Sequence, residues 1–342
     1  MNKAAVSYFA SGALAGILIA TAAFALFLRG GGAAAGRPDV LTLKLGHTLD
    51  PSHPVHTGMV FMKDRLEELS GGRVTMDIYP SGVLGSETEM IEQLQNGALA
   101  MLKTSTAPME GFIPEMAVFS LPYVFDDADH YWRVLDSELG KKLLLSGESK
   151  FLRGLCYYDS GSRNFYTKGR PILTPGDMKG MKIRVMNSRT AMDMISALGG
   201  APTPIAWGEL YTALQQGTVD GAENNPPSFQ SSRHYEVCKH FSLDEHSMIP
   251  DILLISTETW TRLDPQVQRW LQQAADESSL FQRELWKKET QKALEAVQAE
   301  GVTIHHPDKA PFIAAVQPML ATYKGTMIGD LVDRIRAMRE SQ

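Results

Sequence analysis

Cysteine is scarce in this chain: Cys156 and Cys238 are the only thiols in 342 residues. A scaffold stapled by several disulfides is therefore excluded, as is a zinc site built from clustered cysteines. An exported location would permit one bridge between the two. Their surroundings, "GLCYY" and "EVCKH", suit buried free thiols equally well. An excess of positive charge is missing too. The formal net charge is -6, the pI is about 5.9 and no long Lys/Arg run occurs, so there is no electrostatic footprint for nucleic acid.

Signatures of catalysis are also absent. There is no G-x-S-x-G elbow, no H-E-x-x-H pair and no Walker loop, and the glycine-rich "RGGGAAAG" lies beside an N-terminal leader instead of in a strand-helix turn. An enzyme is disfavoured. The histidines of "HTLDPSHPVH" (His47, His53 and His56) have no carboxylate or thiolate at a metal-ligand spacing. They suit hydrogen bonding to a ligand or helix entry, and neither a metal nor another cofactor is expected.

One long apolar run is present, from Ala4 to Leu28, preceded by Lys3 and followed by Arg29 and small residues. It reads as an export signal. It is also long enough to span a bilayer, so residues 1–35 form either a signal peptide cleaved after Ala35, the preferred reading, or an uncleaved N-terminal anchor. With no cysteine nearby, attachment through a lipidated N-terminal cysteine is excluded.

The remainder, in a chain that is 44% hydrophobic and 21% charged, is long enough for two lobes with cores. "LTLKLGH" (41–47) and "RVTMDIYP" (73–80) alternate as strands do, and "GMVFMKDRLEELSGG" between them has helical spacing and a Gly-Gly stop, giving a β-α-β unit. "GSETEMIEQLQNGALAMLKTS" supplies another helix, capped by Ser86 with Glu89 three residues on, then a strand. "EMIEQLQNGALA" (89–100) matches "ELYTALQQGTVD" (209–220) at Glu, Leu-Gln and Gly with a constant offset. Convergence of helix-Gly-strand junctions is one explanation. The favoured one is two similarly built α/β lobes whose strand ends face a shared crevice, where open α/β sheets bind ligands.

Several residues could furnish that crevice. Asn224 and Asn225 lie just past a strand end, stiffened by Pro226 and Pro227, where amides can donate and accept toward a polar ligand or simply make a turn. In "MKIRVM" (181–186), Arg184 either meets solvent or presents its planar fork to a carboxylate. Arg163 follows the apparent strand "RGLCYYD". Trp207 stands at the entrance of a helix over 208–216, where its ring packs in the core or covers the apolar side of a sugar. Ser105 and Tyr158, near apparent strand ends, complete the candidate ligand-binding set with His47 and His53.

"YPSGVLGSETEMIEQLQNGAL", "LPYVF", "DMKGMKIRV" and above all "LGGAPTPIAWGELYTALQQGTVDGAENNP" give the chain, from about residue 40 to 325, a close resemblance to DctP-type solute-binding subunits of tripartite ATP-independent periplasmic (TRAP) transporters. The resemblance implies a periplasmic protein with two α/β lobes, hinged by crossing strands and one long helix from Pro265 to about Gln298. Lobe I would comprise 38–161 plus 250–289, and lobe II 162–249 plus 290–342. It implies a small carboxylate ligand and integral membrane subunits as partners. Arg184 matches the family's carboxylate-gripping arginine, Arg163 a second arginine near the ligand, and Asn224 an amide reaching the same carboxylate. Trp207 replaces a common Phe, and with Asn225 and the histidine-rich first loop it departs from sialic-acid-binding members. "HPVH", "GSRNFY" and "AENNPPSF" look most similar to the hexuronate-binding branch, with other sugar acids and C4-dicarboxylates still open. A ligand sensor on the same fold is the alternative, and a periplasmic enzyme a more distant one.

Overall fold

A computed structural model describes residues 40–339. The expected leader, residues 1–35, lies outside the described residues. Among those described, no helix is long and apolar enough to cross a membrane.

Eleven strands are described: β1 (Leu41–Gly46), β2 (Val74–Tyr79), β3 (Met101–Ser105), β4 (Leu152–Tyr158), β5 (Arg163–Thr167), β6 (Lys182–Val185), β7 (Ala201–Pro204), β8 (Gly221–Asn224), β9 (His240–Ser247), β10 (Asp251–Ser256) and β11 (Thr303–His305). They form two sheets, ordered β2-β1-β3-β10-β4 and β11-β9-β5-β8-β6-β7. The chain leaves the first sheet between β4 and β5 and returns between β9 and β10. A single helix, Pro265–Ala299, then carries it back to the second sheet at β11. This is the two-lobed α/β architecture that the resemblance implies, with strand crossings and a long helix joining the lobes.

Local chemistry explains the elements nearest the crevice. Ser86 and Glu89 form a reciprocal capping box that starts the helix Glu87–Gln95. Gly97 and Gly217 take φ of 75° and 74°, left-handed values that cost glycine little, and end the helices that feed β3 and β8. β3 pairs in parallel with β1, and β8 with β6. The repeated sequence pattern is thus a repeated helix-strand unit. It extends further: Ser105 caps the short helix Thr106–Met109, and Asn225, at the equivalent offset, caps Pro226–Ser231.

Alternation along the strands sends Phe165 and Tyr166 into separate cores on the two faces of the second sheet. β6 lies inside that sheet, between β7 and β8, and Ile183, Arg184 and Val185 are all buried. A solvent-facing Arg184 is therefore excluded. Cys156 and Cys238 are both free and buried.

The long helix holds the first crossing in place. Its buried stripe includes Ala274, Ala275, Ser278 and Ser279. Ser279 Oγ donates to Tyr157 O at 2.6 Å, and Gln282 satisfies both backbone groups of Asp159, at 2.7 and 2.9 Å. Backbone groups in a buried crossing need such partners, because no neighbouring strand supplies them.

Candidate functional site

A cavity of about 30 Å³ lies where the carboxyl ends of β3 and β8 meet. Thr48, Glu87, Lys103, Ser105 and Asp251 border it from one side, and Arg184, Trp207, Asn224, Asn225 and Ser228 from the other. Its lining is mostly polar, and convergent polar groups are what fix a ligand's orientation in a small-molecule site.

Arg184 dominates the electrostatics. It is 1% exposed, and its Nε donates to Ile205 O at 2.8 Å. Nη1 is buried without a partner, and no carboxylate among the described residues lies within ion-pair distance. The guanidinium carbon sits 5.7 Å from the centroid of the Trp207 ring, inside cation-π range. Burial, with some help from Arg163, pulls the Arg184 pKa below its ordinary value. Keeping a cation uncompensated in the interior is costly. The site is built to receive an anion.

Asn224 supplies a donor beside it. Its Oδ1 accepts from Arg163 Nη1 and from the backbone N–H of Asn225, both at 2.9 Å. Two donors aimed at one atom fix the amide orientation, so Nδ2 is left to face the cavity. Arg163 itself is largely committed. It grips the Glu223 carboxylate through Nε and Nη2, the latter at 2.9 Å, and Nη2 also donates to Glu223 O at 3.0 Å. Of its five donors only one, on Nη1, remains. Arg163 borders the cavity, but its chief physical effect is to hold Asn224.

Behind this pair lies a buried relay. Burial favours the neutral form of Glu223, yet Arg163 and His246 outweigh it and hold the carboxyl at about 2. His246 Nε2 is 3.5 Å from Glu223 Oε2, and Nδ1 is 2.9 Å from Asp244 Oδ2. Burial alone would lower the His246 pKa, but the two carboxylates raise it to about 9.

Opposite Arg184, Lys103 and Asp251 form a buried pair at 2.8 Å across β3 and β10. Burial pushes Asp251 up to about 6 against the pull of Lys103. Glu87 Oε1 accepts from Ser105 N at 3.0 Å and from Thr104 Oγ1 at 3.2 Å. Ser105 Oγ and Asn225 Oδ1 are N-caps, accepting from Ala107 N and Ser228 N, while Asn225 Nδ2 lies 3.5 Å from Ser160 Oγ.

The structure separates the sequence candidates. Arg163, Arg184, Trp207, Asn224, Asn225 and Ser105 border the cavity, whereas His47, His53 and Tyr158 do not. His47 Nδ1 accepts from Leu49 N and its Nε2 meets His56 Nδ1 at 2.9 Å, so burial, seconded by Lys103, lowers its pKa to about 3. His53 caps the helix Pro54–Ser70 through Val55 N, and its Nε2 lies 3.1 Å from Ser228 Oγ. Tyr158 donates to Ser278 Oγ on the long helix at 2.8 Å. All three already have protein partners. Sequence reasoning missed Glu87, Lys103 and Asp251. The available signal was a charge inside otherwise apolar strands, Lys103 in "LAMLKTS" and Asp251 in "PDILLIS".

A larger cavity, about 1010 Å³, lies along the long helix and the segment Tyr123–Asp129. Most of its basic groups are matched: Arg283 with Asp136, Arg339 with Asp126, Lys309 with Glu245 and Lys287 with Glu284. Volume favours this groove, but the buried arginine with no ion pair among the described residues is Arg184, in the smaller one.

Two lobes around a cleft prepared for an anion define a solute-binding protein of the hinged kind. The chain belongs to the DctP family, bacterial extracellular solute-binding protein family 7, whose model matches residues 45–326. YiiZ of Salmonella typhimurium is 41% identical over 270 residues, 78% of this chain and 83% of that protein. Among solved structures, a TRAP periplasmic solute-binding protein from Xanthobacter autotrophicus with bound β-D-galacturonate has a TM-score of 0.84 and 36% identity, covering 87% of this chain and 100% of its own. One from Roseobacter denitrificans with bound β-D-glucuronate has a TM-score of 0.84 and 38% identity, with the same coverage.

Proposed function

We propose that this chain is the periplasmic capture subunit of a TRAP transporter and that its ligand is a hexuronate, galacturonate or glucuronate. The observation that carries the reading is the buried guanidinium of Arg184, with Nη1 unpartnered, beside the uncommitted Nδ2 of Asn224. The hexuronates held by the two solved relatives supply the ligand class.

The cavity of about 30 Å³ has room for only a few waters. A hexuronate is several times larger, so entry requires the lobes to part. The lobes we assign are 38–161 plus 250–289, and 162–249 plus 290–342. Once open, the cleft takes the carboxylate on the Arg184 fork and Asn224 Nδ2, while hydroxyls meet Lys103, Asp251 and Ser105 and Trp207 covers the apolar face of the ring. Closure expels water and strengthens each of these contacts. A ligand that touches both lobes biases the open-closed equilibrium, and the closed form is what the membrane subunits recognise. His53 to Ser228, and Glu110 Oε1 to Thr190 N at 3.0 Å, are lobe-to-lobe contacts of this closed form. The leader exports the chain, the periplasm is where it acts, and no turnover of the ligand is involved.

The test is a thermal-shift and calorimetric screen of residues 36–342 against hexuronates, aldonates, sialic acid, C4-dicarboxylates and keto acids. A ligand specific for the native state raises the melting temperature by mass action. Stabilisation by hexuronates supports the reading. Stabilisation by dicarboxylates or keto acids alone would overturn the ligand class, and silence across the panel would overturn the transport reading.

A further inference from the structure

The charges around the cleft balance in number but not in space. Two cations are matched locally: Arg163 by Glu223, and Lys103 by Asp251 at 2.8 Å. That leaves one cation, Arg184, with a buried Nη1 that has no partner. It also leaves one carboxylate, Glu87, with no cation in ion-pair reach among the described residues. Oε1 of Glu87 is taken up by Ser105 N and Thr104 Oγ1, while Oε2 carries no hydrogen bond and the residue borders the cavity. Glu87 is close enough to Arg184 and to Asp251 to influence the charge of both.

We propose that Glu87 sets the charge of the ligand: the cleft takes an acid with a single carboxylate and a hydroxyl-bearing far end, and rejects the corresponding diacid. This rests on the placement of the ligand carboxylate at Arg184. An ionised carboxylate can only accept, so Glu87 Oε2 suits a hydroxyl that donates to it. A second ligand carboxylate in the same place would set acceptor against acceptor and like charge against like charge, a juxtaposition that strongly disfavours the wrong partner. Lys103 has donors to spare, but its single charge is already set against the buried Asp251, so a second ligand carboxylate would leave two anions sharing one ammonium.

The experiment is calorimetric titration of the mature protein near neutral pH with two matched pairs: galacturonate against galactarate, and D-erythronate against meso-tartrate. Within each pair the carbon chain and hydroxyl configuration are shared, and the second member has one more carboxylate. The wild type is expected to prefer the monoacid by on the order of a hundredfold. Glu87→Gln keeps the shape and an acceptor for Ser105 N, and is expected to narrow that ratio by about tenfold or more, chiefly through tighter diacid binding. A wild type that binds the diacid as tightly as the monoacid overturns the proposal, as does a ratio left unchanged by Glu87→Gln. Should galacturonate fail to bind while erythronate binds, the hexuronate reading falls and the four-carbon pair still decides the role of Glu87. Should no monoacid bind, both fall.

Discussion

Replacing Arg184 by Met removes the guanidinium while leaving a side chain long enough to fill most of its space. Two effects of opposite sign follow. In the ligand-free protein, Arg184 is a buried cation with an unpaired Nη1 and no carboxylate within ion-pair distance, so an apolar substitute relieves an uncompensated charge. Exchanging buried charges for apolar groups of similar volume is often neutral or stabilising by about 1 to 4 kcal/mol. The lost bond to Ile205 O, worth about 1 kcal/mol, offsets part of this. The ligand-free melting temperature is therefore expected to hold or rise. In the complex, the same substitution deletes a charge-assisted pair that closure desolvates, a loss of about 2 to 5 kcal/mol. At about 1.4 kcal/mol per decade, this is roughly a thirtyfold to several-thousandfold loss of affinity. The assay pairs a ligand-free melting curve with calorimetric titration of galacturonate or whichever acid the screen identifies. An affinity unchanged in Arg184→Met would refute the role assigned to the guanidinium. A large fall in ligand-free stability would refute the claim that the cation is uncompensated.

Other expectations concern what lies around that arginine. Glu223→Gln leaves Arg163 buried beside a neutral amide in place of its carboxylate, which should cost about 3 to 5 kcal/mol in urea unfolding; a loss below about 1 kcal/mol would mean the pair is not buried as described. His246 has a folded pKa raised to about 9, above its ordinary 6.5. Its contribution to stability is thus complete below 6.5 and is lost as pH climbs through about 9, so the melting temperature should fall across that window, and His246→Gln should flatten the fall. Glu110→Ala removes the acceptor that seats Thr190 N at the start of the helix Arg189–Ala197, a contact between the two lobes we assign. By analogy with a lost N-cap this costs closure about 1 kcal/mol, a roughly fivefold loss of affinity, with a more open ligand-bound form by small-angle scattering; unchanged affinity and scattering would show that the contact does not contribute to closure.

The sequence by itself determined the parts whose causes are local. Ser86 with Glu89, and Gly97 and Gly217 at helix ends, announce their roles because caps and left-handed turns depend on residues three or four apart. The doubled helix-Gly-strand pattern disclosed two like units for the same reason, and Ser105 and Asn225 stand at matching caps within it. Charge and motif content excluded nucleic acid and disfavoured an enzyme, and the long quoted motifs pointed to the family. Tertiary structure alone decided the electrostatics of the cleft. Arg184 alternates along its strand as a solvent-facing residue would, and only the flanking β7 and β8 and the covering helices bury it. Arg163 could not be seen as Asn224's anchor, because Glu223 and Asn224 reach it through the pairing of β5 with β8, about 60 residues apart in sequence. Lys103 and Asp251 meet through the register of β3 with β10, and His47, His53 and Tyr158 are satisfied by neighbours that the fold supplies. Whether a charge is paired depends on which distant strand lies beside it, so the buried Arg184 left without an ion pair is legible only once the sheets are assembled.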